Sequence, residues 1–383
     1  MPDHHQRPNK PKILLITRNL PPLVGGMERL NWHMANELSL HTEVKIIGPK
    51  GSERTKPERA SLSEAPLKPL PLFLLVGFFK ALWFALRWKP TIILAGSGLT
   101  APIAWLLGKL SGATSSVYLH GFDITAPNMV YQRFWTPTFK KTDSVIVNST
   151  PTKALALSAG VPEERIHLVY PGVNLPTSPQ PAERLNQFRQ QHGLEGKKVL
   201  LSIGRLTTRK GLREFVEQAL PNIVRRHPNT VLLVVGEAPK NSLGAGIQTV
   251  ESIQAQAQES GVSEHIKFLG VITDQQLLAT VYEASDIHIF PVRNIPSDPE
   301  GFGMVAIEAA AHGLATVAFA AGGVVDAVRQ NESGYLADND DYSQLSNLVA
   351  ELIESPLPKE QIKAFAKNFE WNGFGVSILK ALN

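Results

Sequence analysis

Short apolar runs rich in β-branched residues alternate with longer helical stretches along most of the chain. In the first half the runs occupy residues 13–17, 44–47, 91–95, 116–119, 144–147 and 166–169. A second series follows at 199–203, 230–235, 266–269, 287–290 and 316–319. Most lack the polar alternation of a half-exposed sheet, so they are expected in parallel sheets covered by helices on both faces. Between the two series, Pro171, Pro176, Pro179 and Pro181 break the pattern and read as a linker. The pattern therefore predicts two doubly wound α/β domains, over 1–175 and 176–368, with a closing helix over 369–383. Sheets of this kind bind ligands outside the carboxyl ends of their strands, so two facing domains would place a site in the cleft between them. Thr273-x-x-Gln276 reads as a capping box for a helix over 274–283.

One stretch departs from the alternation. Residues 70–86 are apolar except for Lys80, with Leu72, Phe73, Leu74, Leu75, Val76, Phe78, Phe79, Leu82, Trp83, Phe84 and Leu86. A helix on the outside of an α/β sheet normally keeps a polar face. Two readings stand: a helix buried in its own domain, or an interfacial helix with Lys80, Arg87, Trp88 and Lys89 at lipid headgroups. The run is shorter than the ~20 residues of a bilayer span, and no transmembrane helix is expected. The polar, basic first twelve residues and the brief apolar run behind them are unlike a secretion signal. A cytoplasmic, membrane-peripheral location is expected.

Composition narrows the chemistry. At 383 residues the chain exceeds the roughly 150 of one typical domain, and with 43% apolar and 19% charged residues it can bury two cores. It has no cysteine, which excludes a disulfide framework, a thiolate metal site and a cysteine nucleophile. The net charge of +4 hides an asymmetry: residues 1–180 hold 20 basic against 11 acidic side chains, residues 181–383 hold 18 against 23. A basic first half suggests an anionic partner such as a membrane, a nucleic acid or a phosphorylated substrate. No nucleic-acid-binding module is recognisable.

Four motifs lie where predicted strands end. Asp298-Pro299-Glu300-Gly301-Phe302-Gly303 opens an apolar helix that begins at Met304 and carries Glu308. Glycines admit close backbone approach, and a helix start favours an anion. Glu300 and Glu308 could face one ligand, with Glu308 taking a hydroxyl pair such as a ribose diol. Two merely solvated glutamates fit poorly, because a carboxylate in so apolar a helix is paired or ligand-bound. Next, Gly204-Arg205-Leu-Thr-Thr-Arg209-Lys210-Gly211 brackets three cations in a strand-to-helix loop. Arg205 and Lys210 could hold a diphosphate, although a solvated loop is the plainer alternative. Pro21-Pro22-Leu-Val-Gly25-Gly26-Met-Glu28 is either a loop lining a site or a tight turn. His120-Gly121-Phe122-Asp123 ends a strand, where a site is expected, although a lone histidine is often structural. Two further patterns are weaker. Gly96-Ser-Gly98-Leu-Thr-Ala101 matches a dinucleotide fingerprint but follows a later strand, so no nicotinamide role is expected. Asp338-Asn-Asp340-Asp341 precedes a helix and reads as a cap.

Together these motifs resemble the retaining glycosyltransferases of family 4, which have the GT-B fold of two Rossmann-like domains. Val234-Val-Gly236-Glu237, Tyr282-x3-Asp286-x3-Phe290-Pro291 and Gly322-Gly323…Asn331…Gly334-Tyr335-Leu336 follow in the expected order. The resemblance covers nearly the whole chain and is most specific in its second half. Glu237 departs from it, since many relatives have Asp followed by Gly-Pro there. The resemblance implies a nucleoside-diphosphate-sugar donor held mainly by the second domain, and catalytic roles for His120, Arg205, Lys210 and Glu300. Donor contacts would come from Gly25, Gly26, Gly204, Arg205, Lys210, Gly236, Ile272, Glu300, Gly301, Phe302, Gly303, Met304 and Glu308. Asp123 is an acceptor-side residue of undefined role. No cofactor and no metal are expected, the cations taking the electrostatic part. Retention of anomeric configuration by front-face attack is implied, and the last helix is expected to cross back to the first domain, with domain closure part of the cycle.

The acceptor is expected to be a lipid-linked glycan in bacterial surface polysaccharide synthesis, such as O-antigen, lipopolysaccharide or capsule. Peripheral membrane contact through Phe78, Phe79, Lys80, Trp83, Arg87 and Trp88 goes with it. The rivals are a GT-B sugar-nucleotide epimerase, a transferase for a soluble acceptor and a degenerate nucleotide-sugar-binding module. Neither the base, UDP or GDP, nor the sugar is legible.

Overall fold

The computed structural model describes residues 10–239 and 246–383. The chain divides into two compact units. The first runs to Gly172 and includes Trp371–Asn383; the second is Val173–Glu370.

The first unit is built on a parallel sheet of seven strands: β1 (Lys12–Ile16), β2 (Glu43–Pro49), β3 (Ser61–Ala65), β4 (Ile92–Ala95), β5 (Thr114–Leu119), β6 (Ser144–Val147) and β7 (Ile166–Leu168). Their order is β3-β2-β1-β4-β5-β6-β7. The second unit has six parallel strands: β8 (Lys198–Ile203), β9 (Thr230–Val235), β10 (Ile266–Gly270), β11 (Ile287–Phe290), β12 (Thr316–Phe319) and β13 (Gly334–Ala337), in the order β10-β9-β8-β11-β12-β13. The cores of the central strands are fully buried: Ile13 to Ile16, Val199 to Leu201 and Val231 to Val234 are all at 0% exposure. This is why their sequence runs are continuous rather than alternating. In each sheet the chain reverses its direction of travel next to the first strand, between β1 and β4 and between β8 and β11. Those reversals open crevices at the carboxyl ends of the strands.

Two strands escape the sequence pattern, and both are sheet edges. β3 reads Ser-Leu-Ser-Glu-Ala and is mostly half-exposed, and β13 is only four residues long and starts at a glycine. β3 is too polar to stand out as an apolar run, and β13 is too short and lacks β-branched residues. The capping box is also corrected. The cap is Asp274, whose Oδ1 accepts the Leu277 N–H at 2.7 Å, and the helix spans Gln275–Ala284. Asp341 does cap its helix, accepting from the Gln344 N–H at 2.8 Å.

The apolar stretch forms helix α2 (Leu70–Arg87), the crossover between β3 and β4; helices α1 (Gly26–His41) and α3 (Ala101–Ser111) follow β1 and β4. By length and composition α2 could cross a membrane. One face nevertheless belongs to the sheet: Phe73, Gly77, Ala81 and Ala85, each four residues on, form its buried row. The small residues let the helix sit close to the strands. Lys80 does not face outward as a headgroup ligand. Its Nζ donates to Ser63 Oγ at 2.9 Å and to the Glu64 carbonyl at 2.6 Å, tying the helix to β3. Trp88 is half-buried and donates its indole N–H to Glu43 Oε1 at 2.9 Å, and Phe78 packs partly into the core.

The last helix, Trp371–Leu382, packs on α1 and β6 of the first unit. The Trp371 ring stacks on His33 with centroids 3.8 Å apart and planes 4° from parallel. Ser144 Oγ donates to the Ala381 carbonyl at 2.9 Å. Burial, aided by the Arg29 charge, lowers the His33 pKa to about 4, so the stack is with a neutral ring. Gly172 faces the Trp371 ring where any side chain would collide. Trp371→Ala is expected to destabilise this unit by about 3–5 kcal/mol in urea unfolding, the range for emptying a buried aromatic site. A loss under about 1 kcal/mol would show the docked helix to be ornamental.

Candidate active site

The crevice between β8 and β11 collects the charged motifs of the second unit. β8 runs out into Gly204, whose N–H donates to the Val235 carbonyl at 2.9 Å. Gly236, at the end of β9, has φ 136° and packs directly on the Gly204 carbonyl, so a side chain there would strike backbone. The two strand ends can therefore approach closely only as glycines. The loop then turns through a short 3-10 helix, Thr208–Lys210, and Gly211 enters the next helix with φ 65°. Arg293 N donates to the Arg209 carbonyl at 2.8 Å, which ties this loop to the one after β11.

The turn aims Arg209 and Lys210 at Glu300. Lys210 Nζ donates to Glu300 Oε2 at 2.9 Å, and Arg209 Nη1 lies 3.4 Å from the same oxygen. Arg209 also donates from Nη1 to the Pro299 carbonyl at 2.8 Å, and its Nε lies 3.6 Å from Asp298 Oδ2. The Lys210 ammonium sits 4.5 Å from the centroid of the Phe290 ring. The side chains of Glu300, Arg209 and Lys210 are 11%, 13% and 17% exposed, so water screens the cluster weakly. Burial by itself would raise the Glu300 pKa, but Arg209 and Lys210 outweigh it and hold the carboxyl at about 2. Burial lowers the pKa of Lys210, against the pull of Glu300.

The backbone behind Glu300 is equally constrained. Gly323 N donates to the Glu300 carbonyl at 2.8 Å. Gly322, at φ 50°, and Gly323 press against Glu300 and Gly301 so closely that a Cβ at either would meet backbone. Phe302 is 2% exposed and packs against Phe369. Gly303, at φ 95°, starts the helix Met304–Ala311. Glu308 lies half-buried in that helix and accepts from the Tyr282 hydroxyl at 3.2 Å. Tyr282 is in turn fixed by the His312 ring, 5.1 Å away and 7° from parallel, and His312 Nδ1 lies 3.0 Å from Glu283 Oε1. Ile272 and Met304 are half-buried, with Ile272 against the core around β8 and β9.

Sequence spacing pointed to Arg205 and Lys210. The structure brings Lys210 and Arg209 onto Glu300 and leaves Arg205 exposed, near enough to act on both Lys210 and Glu300 through its charge. Arg209 is the residue that spacing alone did not single out. Three cations in one loop gave the signal, but only the 3-10 turn decides which of them point inward.

In the first unit, His120 ends β5 and is 7% exposed. Its Nε2 lies 3.0 Å from the Gly96 carbonyl, which can only accept, so the proton is on Nε2. Asp123 Oδ2 accepts the His120 backbone N–H at 3.1 Å, closing the turn at Gly121, where φ is 88°. Asp123 thus holds the backbone at His120. The glycines of the fingerprint-like Gly96-Ser97-Gly98 have a packing cause: a side chain at Gly96 would meet Asn31 and Thr17, and one at Gly98 would meet Tyr131, Phe139 and Asp123. Gly25 is the N-cap of α1 and Gly26 its first residue, with Glu28 folded against Gly25 and accepting from Asn19 Nδ2 at 2.8 Å.

The Glu300 carboxylate has a lower pKa folded than unfolded. It therefore stabilises the fold above the unfolded value of 4.5, and that stabilisation is lost as pH falls toward about 2. Between pH 5 and pH 2 the parent chain should lose about 2–3 kcal/mol more stability than Glu300→Gln in denaturant titrations. Parallel acid limbs would show that the ion cluster does not hold this loop.

The family described as Glycosyl transferases group 1 matches residues 185–369, and Glycosyltransferase Family 4 matches residues 24–176. A GDP-mannose-dependent alpha-(1-6)-phosphatidylinositol monomannoside mannosyltransferase of Mycolicibacterium smegmatis is 27% identical over 97% of this chain and 98% of its own length. A D-inositol 3-phosphate glycosyltransferase of Rhodococcus erythropolis is 30% identical over 63% of this chain and 53% of its own. The crystal structure of Anabaena HepE in complex with UDP superposes with a TM-score of 0.79 at 20% identity, covering 97% of this chain and 99% of that one. Matched family by family along both units and sharing the GT-B fold, the chain belongs to the group 1, family 4 glycosyltransferases and is a glycosyltransferase enzyme.

Proposed function

We propose that the enzyme transfers a sugar from a nucleoside-diphosphate sugar, with retention of configuration, to a lipid-linked acceptor at a membrane surface, in the building of a bacterial cell-surface glycan. The observation that carries the donor half is the Arg209–Lys210–Glu300 cluster at the sheet's reversal point. A sugar hydroxyl engages Glu300 while the diphosphate takes Lys210 and the exposed Arg205. Because Lys210 already leans on Glu300, the sugar-binding and phosphate-binding groups stand preorganised beside each other. Glu308, steadied by Tyr282, takes the ribose diol. The C1–O bond to the diphosphate breaks as the acceptor hydroxyl bonds to C1, and the acceptor proton passes to the departing phosphate oxygen. Arg205 and Lys210 offset the charge that develops there, the part a metal ion plays in other transferases. His120 and the Gly25-Gly26 loop are assigned to the sugar and to the phosphate or acceptor.

Support for a lipid acceptor comes from the second, uncovered face of α2 and from the acceptor in the mycobacterial relative's name. That relative also makes GDP-mannose the first donor to test.

Lys210→Ala should lower turnover at least tenfold, about 1.4 kcal/mol of barrier, and an unchanged rate would remove it from the diphosphate site. Glu308→Ala should weaken nucleotide binding in calorimetry, whereas an unchanged affinity would refute its ribose role. With an active donor and acceptor pair, proton NMR of the first product formed should show the donor's anomeric configuration. The opposite anomer would overturn the retaining mechanism.

A further inference from the structure

Helix α2 has two apolar faces. Opposite its buried row, Leu72, Leu75, Phe79, Trp83 and Leu86 form a stripe at 39%, 55%, 59%, 58% and 64% exposure. At 100° per residue these five positions fall within one narrow sector, diametrically across from Phe73, Gly77, Ala81 and Ala85. α3 packs beside α2 and extends the patch with Leu106 and Leu110, one turn apart and 39% and 66% exposed. The adjoining row of α3 is different in kind. It carries Trp105 and Lys109, which line a hollow of about 320 Å³ together with Ser115, Lys141 and Asp143. The ammonium groups of Lys141 and Lys109 lie 4.6 and 5.9 Å from the centroid of the Trp105 ring. Among the described residues neither lysine has a carboxylate within ion-pair distance. Asp143 is turned to β5, where its Oδ2 accepts from Ser115 N at 2.8 Å and Ser115 Oγ at 2.7 Å. The hollow therefore keeps a net positive charge at the border of an apolar surface.

We propose that this hollow holds the phosphate of an anionic phospholipid whose bilayer receives the α2 and α3 stripe. The inference rests on the membrane reading given under the proposed function and adds to it the headgroup site, at a place distinct from the strand ends that carry the chemistry. Charge complementarity selects the occupant. A second copy of this basic unit would bring lysines to lysines, whereas an anionic bilayer offers phosphates at the depth where Trp105 and the exposed aromatic residues settle. Lys109 and Lys141 then neutralise a phosphate, and Trp105 fills the interface between headgroup and acyl chain.

The test is cosedimentation of the full chain with phosphatidylcholine vesicles, with and without phosphatidylglycerol. Three proteins are compared: the parent, Lys109→Gln/Lys141→Gln, and Leu75→Ser/Phe79→Ser/Trp83→Ser. The parent should prefer the anionic vesicles. The lysine pair is exposed, so its loss should leave the melting temperature unchanged and lower partitioning onto anionic vesicles about thirtyfold, the effect of two juxtamembrane charges. Binding to neutral vesicles should not change with it. The stripe variant should lose binding to both kinds. Equal partitioning of the parent and the lysine variant would overturn the headgroup site while leaving the membrane reading intact. A parent that binds neither vesicle would overturn the membrane reading itself, and with it this site. A concentration-dependent dimer in light scattering that the stripe variant abolishes would give the face to a second copy and refute the proposal.

Discussion

A carboxylate held among two cations in a nearly dry crevice organises the second unit. Glu300 could not remain ionised there without Arg209 and Lys210, and the two cations could not be so buried without Glu300. The consequence spreads through the backbone. Arg209 fastens the Pro299 carbonyl, Gly323 fastens the Glu300 carbonyl, and the loops after β8 and β11 are joined by Arg293. The glycines at 236, 322 and 323 stand where a side chain would strike neighbouring backbone, and Gly204 is needed for its φ of 140°. For the donor proposed above, the charges of the crevice are in place before it binds, which is the condition under which electrostatic catalysis costs least reorganisation.

The charge asymmetry of the chain gains meaning from the unit boundaries. The first unit, with its returning helix, holds 21 basic against 11 acidic side chains, and the second holds 17 against 23. The unit expected to take a dianionic donor is thus the acidic one, so a few inward-pointing cations matter more than net charge. The basic unit is also the one with the uncovered apolar helix. Both features point to a task other than holding the donor.

The fold was legible because its central strands are buried on both sides and so read as unbroken apolar runs. β3 was not, because it is polar and half-exposed, and β13 was not, because four residues led by a glycine and without β-branching make no run. The site motifs were legible through their glycines and charges. Arg209 was not, because choosing among Arg205, Arg209 and Lys210 depends on a 3-10 turn that spacing does not encode. Asp123 could be placed near His120 but not given its task, which rests on one hydrogen bond to a backbone N–H. In α2 the absence of a polar face hid which side is buried. The small residues Gly77, Ala81 and Ala85 at every fourth position were the available clue. Lys80 looked like a headgroup ligand only while β3 was missing from the picture, since β3 supplies both of its acceptors.

The central claim is that the Arg209–Lys210–Glu300 crevice receives the nucleotide sugar. Hydrogen–deuterium exchange on the full chain, with and without saturating GDP-mannose or UDP-glucose, tests it most directly. At least one donor should slow exchange in the peptides covering 204–211 and 298–308 together. Slowed exchange confined to other segments, with a donor demonstrably bound, would contradict it.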